Sequence, residues 1–115
     1  MKSLKLNIAE RLAALAIFNN PENKVTTSDL KVYLDDVAKF RITDLDKETV
    51  HWKDIKDEAG VVTSVSWDDS QVGPTEIQID KFTEKFLKDK LEKLQYSAAD
   101  PLAGSVLGLL EKLNS

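Results

Sequence analysis

Few residues in this chain have the types and spacing that chemistry needs. Acids gather in three places: Asp44 with Asp46, Asp54 with Asp57 and Glu58, and Asp68 with Asp69. The natural test for such clusters is a calcium loop. It needs oxygen ligands at positions 1, 3 and 5, glycine at 6 and a bidentate glutamate at 12. Counted from Asp44, positions 6 and 12 hold Thr49 and Ile55. Counted from Asp54, they hold Ala59 and Val65. Counted from Asp68, Gly73 fits position 6, but Val72 and Ile79 fail at 5 and 12. Every frame fails, so no metal site is expected.

Other catalytic arrangements fare no better. His51 is the single histidine, and no G-x-S-x-G element accompanies it. Two-carboxylate hydrolysis needs acids on opposite sides of a cleft, whereas Asp68 and Asp69 are neighbours at the end of an alternating run. Adjacent strand residues point to opposite faces and cannot make such a pair by themselves. The four glycines (60, 73, 104 and 108) never group as a phosphate-binding loop requires. There is no cysteine, which removes disulfides, thiolate nucleophiles and thiolate metal sites together. No catalytic residue, cofactor site or metal ligand is expected, and the chain does not read as an enzyme.

The elements that would position these side chains follow from periodicity. A first helix is predicted over residues 8 to 18, with Asn7 and Glu10 as a capping box. Ile8, Leu12, Leu15 and Phe18 form its apolar stripe, widened by Ile17 and the alanines. The run 19 to 23 stops it. A second helix from about Thr26 to Phe40 presents Leu30, Tyr33, Leu34, Val37 and Phe40 at helical spacing. Thr43 starts a short third helix with an acidic first turn, which gives way near Val50 to a hairpin turning at residues 57 to 60. Val61, Thr63, Val65 and Trp67 then share one inward face, and residues 75 to 79 make a further strand with Ile77 and Ile79 inward. Asp80 caps a helix with Phe82, Phe86, Leu87, Leu91 and Leu94 on its stripe. Asp100-Pro101 starts a last one that buries Leu102, Val106, Leu109, Leu110 and Leu113. The fold class expected is α+β, one domain over 1 to 115, with helices at both ends flanking a three-stranded antiparallel meander.

Size and charge fit that plan. With 115 residues, 42% apolar and 31% charged, the chain can bury a core without staples. Its net charge of −4, with both signs interleaved, offers no broad basic surface to nucleic acid or anionic lipid. Glu10 and Arg11 interrupt the apolar N-terminal stretch, which argues for an amphipathic helix over a signal peptide. The weakly polar run 101 to 110 is about half of the ~20 residues that span a bilayer. A soluble, cytoplasmic protein without membrane contact is the expectation.

Two features point to protein contacts. Trp52 and Trp67 can face each other across the hairpin, with Asp68 and Asp69 at its exit, and tryptophan is a frequent interface anchor. Gly104 and Gly108 form a small-x-x-x-small pair that would admit close packing, within the chain or in a homodimer. Three helices followed by a hairpin is also the order of a winged-helix DNA-binding regulator. There, however, the third helix would bring Asp44, Asp46 and Glu48 to the phosphates, and the wing tip Asp57 and Glu58. DNA binding is the less favoured alternative.

The segments LNIAERLAALAIF, the W-D pair after the hairpin, EIQI, FTEKFLKDKLEKL and LLEKL, taken in that order, resemble a group of small uncharacterised bacteriophage and prophage proteins. The resemblance covers roughly residues 4 to 113 and rests on pattern. Those proteins usually end the first helix with Leu-Pro, where this chain has Phe18-Asn19-Asn20-Pro21. The resemblance implies a phage accessory protein that acts inside a bacterial cell through a protein partner. It carries over no catalytic residue.

Overall fold

The computed structural model describes residues 1–70, 72–94 and 103–115. Along the chain run β1 (Lys2–Leu6), α1 (Ile8–Phe18), α2 (Thr27–Phe40), α3 (Asp44–Thr49), β2 (Lys53–Lys56), β3 (Val62–Ser66), β4 (Thr75–Ile79), α4 (Lys81–Lys93) and α5 (Ala103–Asn114). The α+β class is therefore as expected. The predicted helix start at Asp100-Pro101, and Leu102, lie outside the described residues. The chain divides into two compact units, one made of residues 1–41 and 74–115 and the other of residues 42–73.

The meander does not form. β2 pairs only with β3, and β4 pairs antiparallel with β1, in register from Lys2↔Ile79 to Leu6↔Thr75. The reason lies in a strand that the sequence reading passed over. Lys2-Ser3-Leu4-Lys5-Leu6 alternates, and its Leu4 and Leu6 are buried beside the equally buried Ile77 and Ile79. That shared apolar face gives β4 a better partner than β3, which has no buried residue. The chain consequently begins with a strand, so helices do not flank the sheet at both ends.

The first unit holds the core. Leu4, Leu6, Ala14, Ile17, Phe18, Tyr33, Val37, Phe40, Ile77, Ile79, Leu87, Leu91, Leu109 and Leu113 belong to one buried cluster. Each fully buried large apolar side chain stabilises by roughly 1.5–3 kcal/mol. Phe18 packs edge-on to both Tyr33 and Phe40, at ring-centroid distances of 5.5 and 5.1 Å. The Tyr33 hydroxyl donates to the Phe18 carbonyl at 2.8 Å.

Helix limits match the sequence reading closely, and α5 buries Val106, Leu109 and Leu113 as expected, but α1, α2 and α4 are each rotated in part from the predicted stripe. In α1 the Asn7–Glu10 capping box forms as expected. The buried face keeps Ile8, Ile17 and Phe18 but adds Glu10, Arg11, Ala13 and Ala14, while Leu12 and Leu15 are half-buried. Glu10 and Arg11 can be inside because each is bonded. Glu10, 4% exposed, accepts from the Asn7 N–H at 3.0 Å and pairs with Lys112 of α5 at 2.6 Å. Arg11 donates to the carbonyls of Phe40 and Arg41 at the end of α2. Bonding of this kind offsets the cost of taking charge out of water. In α2, Leu30 and Leu34 lie outside the core, Leu34 being 51% exposed. The core-facing set is Tyr33, Val37 and Phe40 with Asp36 between them. In α4, likewise, Thr83, Leu87 and Leu91 are buried, Phe82 and Phe86 are half-buried, and Leu94 is exposed.

Asp36 explains the last two rotations. It is 2% exposed and accepts from the Thr83 hydroxyl, from the Asp80 N–H at 3.0 Å and from Lys39 at 3.1 Å. One carboxylate on α2 thus holds both the first turn of α4 and the residue that caps it.

Candidate functional site

The sequence-selected tryptophans and acids converge in the second unit. Thr43 caps α3 and shares a capping box with Asp46, which fixes where that short helix begins. The helix ends at Val50, whose carbonyl accepts from the Asp68 N–H at 2.7 Å. His51 follows with φ +54°, a left-handed conformation that lets the chain reverse into β2. Its ring is exposed and stands at a turn, a position that suits chain reversal more than catalysis.

β2 and β3 pair from Lys53↔Ser66 to Lys56↔Val62, with an irregularity between Ile55 and Lys56. One step beyond Lys53↔Ser66, Trp52 and Trp67 stack with centroids 5.6 Å apart and planes 11° from parallel. Lys47 lies over the Trp52 ring at 5.6 Å, and the Trp52 indole N–H donates to Asp54 Oδ1 at 3.0 Å. At the other end, Asp57 Oδ1 accepts from the Ala59 and Val61 N–H groups at 2.9 and 3.0 Å. Gly60 takes φ +81° there, which a side chain would resist. The ribbon is therefore pinned at both ends.

The expectation that Val61, Thr63, Val65 and Trp67 line an inward face needs correction. Val65 and Trp67 are half-buried, whereas Val61 is 59% exposed and Thr63 is exposed. Ile55 and Val62 are exposed too, and Leu45 on α3 is 72% exposed. Alternation alone made this ribbon look half-buried. A two-stranded ribbon buries a face only where a further layer is packed on it.

Asp68 and Asp69 leave the strand as expected. Asp68 accepts from the Ser70 hydroxyl at 2.7 Å and the Ser70 N–H at 3.0 Å. The side-chain bond from Ser70, then the backbone bond, hold the Asp68 carboxyl below its ordinary range. Both bonds favour the charged form of the carboxyl. Among the described residues no group of three or more histidines, aspartates or glutamates could hold a metal ion. No described helix is long and apolar enough to cross a membrane.

Gly104 and Gly108 do not make one bare face. Around Gly104 the space is open. A Cβ at Gly108 would stand 2.9 Å from Glu10 Oε2. The missing side chain at Gly108 thus admits the buried carboxylate of α1, a use internal to the chain.

Reasoning from sequence overlooked an open cleft of about 440 Å³ in the first unit, between the C-terminal ends of α1 and α4. Glu22, Lys90 and Lys93 bring mixed charge to it, and Asn20 and Asn23 bring neutral amides. No local pattern marks these residues, because helix ends and a loop distant in sequence bring them together. No protein-family model, no curated protein and no solved structure matches the chain.

Proposed function

We propose that the chain is a non-enzymatic protein-interaction module whose contact surface is the β2–β3 ribbon with the adjoining α3. The observation that carries this reading is the exposure of Leu45 on α3 and of Ile55, Val61 and Val62 on a ribbon held by the tryptophan stack and the Asp57 turn. Apolar side chains grouped on a pre-organised surface favour association, because little ordering is lost on binding. As part of the same proposal, the module is a phage accessory protein that binds a host or phage protein, a reading supported by the sequence resemblance to small phage proteins.

The winged-helix alternative is the weaker one. A third helix of six residues has little length to lay in a major groove. Its Asp44, Asp46 and Glu48 outnumber Lys47, so phosphates would repel it.

Affinity capture tests the reading. The immobilised chain, incubated with bacterial lysate, is expected to retain a defined protein identified by mass spectrometry. A Leu45→Asp/Val61→Asp variant with unchanged far-UV circular dichroism is expected to lose it. Retention of nothing, or of the same set by both chains, would refute the reading.

A further inference from the structure

The two outer edges of the β2–β3 ribbon differ in a way that selects a partner. Each strand has one neighbour among the described residues, so each leaves one edge of backbone donors and acceptors open. Natural edge strands are usually guarded by charge, and β2 is guarded by Lys53, Asp54 and Lys56. β3 has no such guard. Its sequence VTSVS is uncharged and mostly β-branched, and Val62, Thr63, Ser64 and Ser66 are exposed. Such residues favour further strand pairing. Acidic residues flank this strand at both ends, with Asp57 and Glu58 in the turn that precedes it and Asp68 and Asp69 at its exit.

We propose that the open edge of β3 accepts an extended segment of a partner protein, uncharged and β-branched in its centre with basic residues at both ends. The segment would add a third strand to the ribbon by backbone hydrogen bonding, the mode known as β-augmentation. Charge decides against a second copy of this chain. Antiparallel self-pairing centred on Ser64 sets Asp68 and Asp69 opposite residues 60 and 59, beside Glu58. Parallel self-pairing sets each acidic end against its own copy. Either register brings like charges together, whereas a segment with basic ends meets opposite charge at both. The ribbon needs no rearrangement to receive it, because the tryptophan stack and the Asp57 turn already hold its register.

This inference rests on the interaction reading and adds to it the edge and the partner's chemistry. The full chain is titrated with a labelled synthetic peptide of alternating valine and threonine with two lysines at each end. A matched peptide carries glutamates there, and a third is N-methylated at alternate residues. The lysine peptide is expected to bind at least about tenfold more tightly than the glutamate peptide, as four rim charge pairs of modest strength would give. N-methylation along the pairing edge is expected to abolish binding. Amide hydrogen exchange is expected to slow at residues 62–66 and not at 53–56. Asp57 and Asp68 hold turns, so the charge test falls on Glu58→Lys/Asp69→Lys, which leaves one acid and one lysine at each end and is expected to abolish the preference. Protection at β2 or nowhere, or a preference unchanged in the variant, overturns the proposal. Capture of a partner through Leu45 and Val61 without protection of β3 would sink the edge assignment and leave the interaction reading standing.

Discussion

Replacing Asp36 by alanine should cost more stability than any other single truncation of a charged side chain in the first unit. The carboxylate is buried, and so is the Thr83 hydroxyl bonded to it, while the Asp80 N–H that it also accepts opens α4. In Asp36→Ala both donors lose their acceptor. An unsatisfied buried donor costs about 1–3 kcal/mol. The hydroxyl is enclosed and should sit near the top of that range, and the N–H is partly solvated and should sit near the bottom. The Lys39 pair adds little, since the Lys39 side chain is 39% exposed. The sum is about 4 kcal/mol, a large share of the ~5–15 kcal/mol that holds a typical domain together. At ~4–8 °C per kcal/mol, the thermal midpoint should fall by about 16–32 °C.

Urea unfolding followed by far-UV circular dichroism measures this, because α1, α2, α4 and α5 dominate that signal. Thr83→Val alone removes one donor in a similar shape and should cost about 1 kcal/mol. In the Asp36→Ala background the same change should instead stabilise, since it removes the orphaned hydroxyl that carried most of the cost. Lys39→Met should leave the midpoint almost unchanged. A cost below about 0.5 kcal/mol for Asp36→Ala would refute the reasoning. So would strict additivity of the Asp36 and Thr83 changes, because groups that share a bond must couple.

Two further predictions concern the other buried polar contacts. Gly108→Ala should destabilise by about 0.5–1 kcal/mol despite alanine's advantage of about 1 kcal/mol in helices, because the new Cβ must displace a carboxylate held by Asn7 and Lys112. In an Glu10→Ala background the same change should instead stabilise, and a thermal-denaturation cycle reads the reversal of sign. Burial raises the Tyr33 phenol above its ordinary value, so the fold favours the neutral form. The stability linked to Tyr33 is then fully present below the unfolded tyrosine value of about 10 and is lost as pH rises beyond it. Tyr33→Phe should cost about 1 kcal/mol at neutral pH, through the lost bond to the Phe18 carbonyl, and should flatten the alkaline fall in midpoint.

The sequence by itself determined the local features, because their causes are local. Asn7 with Glu10, Thr43 with Asp46 and Asp80 each mark a helix start, and the backbone donors they satisfy lie within three residues. The hairpin turn and the facing of Trp52 and Trp67 follow from spacing around Gly60. The exposure of Ile55, Val61 and Val62 was not legible, because alternation marked Val61 as inward and only tertiary packing decides whether a face is covered. Tertiary structure alone decided which strand β4 joins, since Leu4 and Leu6 lie more than seventy residues from Ile77 and Ile79. It also decided which charges go inside. Glu10, Arg11 and Asp36 look like solvent-facing residues in their own helices, and only Lys112, the end of α2 and Thr83 make their burial affordable. A charge can be buried where its partners wait, and those partners come from distant parts of the chain.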